Sequence, residues 1–120
     1  TFAPQTWGGA FMDPHMYKGY APFGIQTVGT TVFVTFAKTQ AGSNDEQAGN
    51  GRGVVDAFGT DGTFLGPVAS HGLLNAPWGL AMAPADFGRL SNDLLVGNFG
   101  DGKINAFGWD GKGWRPDGVL

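Results

Sequence analysis

Two copies of one pattern run along this chain, and a chain built of repeats must fold as a repeat. Ala21-Pro22-Phe23-Gly24-Ile25 is echoed by Ala76-Pro77-Trp78-Gly79-Leu80, an offset of 55 residues. Downstream, Thr31-Val32-Phe33-Val34-Thr35-Phe36 corresponds to Asp93-Leu94-Leu95-Val96-Gly97-Asn98-Phe99. Gly53-Val54-Val55-Asp56-Ala57-Phe58-Gly59 corresponds to Lys103-Ile104-Asn105-Ala106-Phe107-Gly108. Each copy then meets an Asp-Gly pair, Asp61-Gly62 or Asp110-Gly111, whose backbone tolerates the positive φ of a tight hairpin. Four short β-rich runs per copy, separated by turn residues, predict an all-β chain of four-stranded antiparallel units. Four such strands make a β-propeller blade, so the fold expected is a fragment of a six-bladed propeller.

On that reading, residues 1–20 are the end of a preceding blade and its connection, with Trp7-Gly8-Gly9-Ala10-Phe11 as an outer strand. Residues 21–75 are the first blade, with a long polar loop inserted at 38–52, and residues 76–120 are a second blade cut short. Pro116-Asp117-Gly118 reads as a turn and Val119-Leu120 as the start of a further strand. Helix is disfavoured throughout, because even Ala81 to Leu90 is interrupted by Pro84 and Gly88. The remaining blades of the same polypeptide are the first partner implied, since a blade buries both faces against neighbours.

Composition narrows the function classes. There are 22 glycines in 120 residues without an every-third-residue rule, which excludes collagen and suits a turn-dense β protein. The seven Lys and Arg are scattered in a chain of net charge -3, so no basic footprint for nucleic acid exists. No apolar run approaches the roughly 20 residues of a membrane span. The absence of cysteine removes disulfides, thiolate metal sites and cysteine nucleophiles.

Leu74-Asn75-Ala76-Pro77-Trp78-Gly79-Leu80-Ala81, followed by the run from Asp93 to Phe107, resembles an uncharacterised bacterial propeller family. The stretch Gly19-Tyr20-Ala21-Pro22-Phe23-Gly24-Ile25-Gln26 is similar in the same way, and the likeness covers nearly the whole chain. Members of that family are usually exported, some with a C-terminal PEP-CTERM sorting signal, which implies a secreted, periplasmic or cell-envelope location. More distantly, Pro-x-Gly-Leu followed by Asn98-Phe99-Gly100-Asp101-Gly102-Lys103-Ile104 is similar to the NHL repeat of six-bladed propellers. Asn98 stands where that repeat carries an acidic residue.

Candidate site residues come from the loops. Asn98 and Asp101, in a glycine-rich turn at a blade rim, are of the oxygen-donor type that Ca²⁺ takes, although Asp-Gly is sufficient as a hairpin turn. Asn75 and Lys103 would flank them as ligand-binding residues. Phe23 and Trp78 occupy equivalent positions and offer a stacking surface, while equivalence by repeat also favours packing between units. Asn44-Asp45-Glu46 is the acidic cluster of the long loop, without the spacing of an EF-hand. His15 and His71 are the two histidines, and no zincin pair, nucleophile elbow or phosphate loop accompanies them, so no catalytic residue is assigned. The leading expectation is a non-catalytic module binding an unknown protein or small ligand. A Ca²⁺-dependent lactonase-like hydrolase is the alternative, and a structural repeat of a surface assembly the third.

Overall fold

The computed structural model describes residues 12–39 and 48–120. The first sheet is formed by β1 (Tyr20–Val28), β2 (Thr31–Lys38), β3 (Val54–Gly59) and β4 (Phe64–Ser70), and the second by β5 (Pro77–Met82), β6 (Leu94–Asn98), β7 (Ile104–Trp109) and β8 (Trp114–Val119). Both sheets keep sequence order, each strand pairing antiparallel with the next. Among the described residues there is no α-helix; one turn of 3-10 helix, Gly88–Leu90, sits in the loop between β5 and β6.

The hairpins follow from the turn chemistry read above. Gly62 and Gly111 take φ of 88° and 92°, and Asp61 and Asp110 each accept a backbone N–H two residues on, from Thr63 at 3.0 Å and Lys112 at 2.8 Å. Those N–H donors hold both carboxyls below the usual aspartate range. The first strands share a second device. Register slips between Pro22 and Gly24 in β1, and between Pro77 and Gly79 in β5, so Phe23 and Trp78 are the extra residues of equivalent β-bulges. Their rings meet at 5.6 Å. A Cβ on Gly24 would overlap the Trp78 carbonyl, so β1 and β5 are the closest approach of the two sheets.

The core lies between the sheets. Phe33, Val55, Ala57 and Val68 of the first face Leu94, Val96 and Phe107 of the second, and Leu74 of the connection is inserted at 0% exposure. Leu74→Ala would cost about 2–5 kcal/mol, as truncation of a closed core site does. A second cluster, Val32, Val34, Phe36, Val54 and Phe58, occupies the other face of the first sheet under Met16, Tyr20 and Phe64. The middle strands of the first sheet are therefore buried on both faces, whereas β6 alternates buried and half-buried residues because only one of its faces is covered.

The expected all-β chain of four-stranded antiparallel units is what forms, as two open sheets that do not close into a ring. One expectation is corrected. Pro116-Asp117-Gly118 lies inside β8 and not in a turn. An outermost strand tolerates proline because one row of its N–H groups has no ladder partner, and Pro67 of β4 sits in the same way. The expected outer strand at Trp7 to Phe11 and the acidic cluster Asn44-Asp45-Glu46 lie outside the described residues.

Candidate functional site

The loops 48–53, 71–76 and 99–103 converge at one rim, and asparagine side chains fasten them together. The connection from β4 to β5 must leave one sheet and enter the other within a few residues, and it does so through positive φ at His71, Gly72 and Ala76. Its backbone is stitched on both sides. The His71 N–H donates to Gly53 O and the Ala76 N–H to Arg52 O on the first sheet, while Phe99 N–H and Gly100 N–H of the second donate to Ala76 O and Asn75 O.

Asn75 Oδ1 accepts the Gly49 N–H at 2.7 Å, and the Asn75 N–H donates to Asn98 Oδ1 at 3.1 Å. Asn98 Nδ2 donates to Leu73 O at 2.9 Å, and Asn105 Nδ2 reaches the same oxygen at 3.3 Å. All three asparagines are buried, at 6%, 4% and 1% exposure. Burying amides this deeply is tolerable only with partners, and each here has them. A Cβ on Gly100 would overlap the Asn75 side chain, which explains the glycine at that point.

The structure thus brings Asn75 and Asn98 together and turns their amide oxygens onto backbone N–H groups. Asp101 and Lys103 lie at the same rim but exposed; Asp101 Oδ1 accepts the Lys103 N–H at 3.0 Å, closing a local turn. Phe23 and Trp78 stand apart, at the bulges of the first strands, with Trp78 49% exposed. Among the described residues no three His, Asp or Glu side chains gather as a metal-binding group.

The histidines separate. His15 projects into solvent with its N–H on Asp13 Oδ1. His71 Nδ1 lies 2.7 Å from Gly51 O, and its ring packs 4.5 Å from that of Tyr17 and 6.2 Å from that of Tyr20. Burial pushes the Tyr20 hydroxyl pKa up, against the pull of Arg52. This aromatic corner was not foreseen, because Tyr17 and Tyr20 precede the first repeat while His71 belongs to the connection, and only folding joins them.

Asp56 and Asp93 were also missed. Asp56 is fully buried in the face of the first sheet, with no hydrogen bond of good geometry to either oxygen. Burial above all, and then the neighbouring Asp13 carboxyl, push its pKa up to about 8. Asp93 is raised by burial and then by Asp117, which Arg89 and Arg115 pair at 3.6 and 3.5 Å. The sequence signal was available for Asp56: it aligns with Asn105 in the repeat, an interior position of a strand.

Comparison with known proteins places the chain beside uncharacterized proteins of Acanthamoeba polyphaga mimivirus. It is 37% identical to one over 97 residues, 37% to a second over 94 residues, and 36% to a third over 94 residues, each match covering 78% of this chain. No family model matches, and no solved structure matches. The likeness to an exported bacterial propeller family, and to the NHL repeat, is thereby corrected: the relatives found are viral and the sheets stay open. The motifs behind that likeness, a Pro-x-Gly bulge and Asp-Gly turns, serve local sheet geometry here, so by themselves they report strands and hairpins and not lineage. The chain spans 25%, 24% and 18% of the length of these mimivirus proteins.

Proposed function

We propose that this chain is a non-catalytic packing and binding module, whose second sheet is covered by a further homologous sheet of a longer polypeptide. One observation carries this reading: the face of the first sheet that the second sheet buries recurs on the second sheet only partly covered, with Leu95 half-buried and Ile104 exposed beside a buried Ala106. Phe33 stands opposite Ala57 as Leu95 stands opposite Ala106, and Ile104 occupies the place of Val55. Phe33 and Val55 are 2% and 0% exposed beneath Leu94, Val96 and Phe107. Ile104 is 40% exposed and Leu120, beside it, 54%.

An apolar face of this kind has a defined complement, a sheet presenting the Leu94, Val96 and Phe107 pattern. The relatives, about four times or more the aligned length, have room for such sheets. The rim loops, tied by buried amides, then serve as a rigid platform with Asp101 and Lys103 exposed for a partner.

The test is association measured by analytical ultracentrifugation, using the full chain with the adjoining segment of the longer polypeptide supplied separately. The two are expected to form a complex that Leu95→Lys with Ile104→Lys abolishes, or Ile104→Lys alone if the double variant does not fold. No complex, or self-association of the chain without binding to that segment, overturns the proposal.

A further inference from the structure

We infer that the groove between the hairpin ends of the two sheets is a binding site for an amphipathic anion, a planar aromatic body carrying one carboxylate. The groove encloses about 640 Å³, within the range of small-molecule sites. Its first-sheet side includes Phe33 and Leu65, and its second-sheet side includes Trp109 and Trp114.

The tryptophans are held in place. Trp114 packs edge-on to Phe33 at 5.6 Å, and Trp109 packs against Trp114 at 5.5 Å. Trp109 remains 56% exposed. An indole fixed by packing yet left in water presents apolar surface whose ordering cost is already met, the property that makes aromatic residues anchors of binding sites.

Charge selects the ligand. Lys112 is the charged residue lining the groove, and no carboxylate lines it. The chain as a whole carries -3, so an anion is accepted here against the general field. The Lys112 N–H is fixed by Asp110 Oδ1 in the β7–β8 turn, and among the described residues its ammonium forms no ion pair, whereas Arg89 and Arg115 are engaged with Asp117. An apolar enclosure with one cation and few other polar groups suits a flat hydrophobic acid; a sugar would need more hydrogen-bonding partners.

The experiment titrates naphthalene-2-carboxylate, and its neutral carboxamide, into the full chain while indole N–H resonances are followed. Saturable shifts of Trp109 and Trp114 are expected, with the carboxylate binding about fivefold tighter than the amide, as one partly exposed ion pair allows. Lys112→Ala should remove that preference and leave the amide affinity unchanged. No shift at either indole, equal binding of acid and amide, or a preference that survives Lys112→Ala overturns the inference. The Ile104→Lys chain, with the indole resonance dispersion of the folded protein retained, should bind the acid as before; binding lost there would place the probe on the open face of the second sheet and also overturn it. The groove is independent of the sheet-stacking proposal, and either can fail alone.

Discussion

Asp56→Asn should stabilise this protein at neutral pH and flatten its response to alkali. The native state holds Asp56 fully buried with its pKa raised to about 8, chiefly by burial and further by Asp13. An unfolded chain releases that proton near pH 4, as an ordinary aspartate does. A folded-state pKa above the unfolded one means that the native state binds a proton which the unfolded state has lost, so stability falls as pH rises from about 4 to about 8 and is level beyond. The slope is about 1.4 kcal/mol per pH unit, and across the roughly three units up to pH 7 the loss amounts to about 4 kcal/mol. Asparagine carries no such proton. The repeat also shows that an amide is accommodated at this position, since Asn105 occupies it in the second sheet at 1% exposure and donates to Leu73 O. Urea unfolding of wild type and variant at pH 4.5, 6, 7.5 and 9 measures the effect. The two should differ by about 1 kcal/mol at pH 4.5 and by about 5 kcal/mol at pH 7.5. Parallel stability curves from pH 4.5 to 9 would show that Asp56 titrates as an ordinary carboxylate, and the burial argument would be refuted.

Three further outcomes are expected. Asn98→Ala removes the acceptor of the Asn75 N–H and a donor to Leu73 O inside a buried network, and should cost about 2–4 kcal/mol in urea unfolding, equally with and without added calcium; a loss appearing only in the presence of calcium would instead make Asn98 a cation ligand. Gly24→Ala places a methyl group on the Trp78 carbonyl where the sheets meet, and should cost about 3 kcal/mol, whereas Gly29→Ala, with nothing within 4 Å of its added Cβ but a φ of 60°, should cost about 1 kcal/mol; equal melting temperatures for the two variants would contradict the close approach of β1 and β5. Asp93→Asn removes a carboxyl raised by burial and by Asp117, so the variant should lose less stability than wild type as pH rises above the ordinary aspartate range, measured by thermal melts at pH 5 and 8.

What the sequence determined by itself is local and periodic. Repeated spacing of Ala-Pro-x-Gly, of the β-rich runs and of Asp-Gly is enough to place strands and hairpins, because positive φ at Gly62 and Gly111 and the bulges at Phe23 and Trp78 depend on residues a few positions apart. Pairing across the repeats also marks Phe33 and Leu95, or Asp56 and Asn105, as equivalent. Tertiary structure decided everything that distinguishes equivalent positions. Phe33 is covered and Leu95 half-covered because one sheet has a neighbour on that face and the other does not, and no local pattern encodes the neighbour. The same holds for the polar residues. A rim asparagine reads alike in sequence whether its oxygen faces solvent or a backbone N–H; the return of the chain from β4 to β5 put Asn75, Asn98 and Asn105 around Leu73, and folding tied their amides to the backbone there. Burial depends on distant segments closing over a site, and it is the chief reason that Asp56 is an acid that keeps its proton to about pH 8.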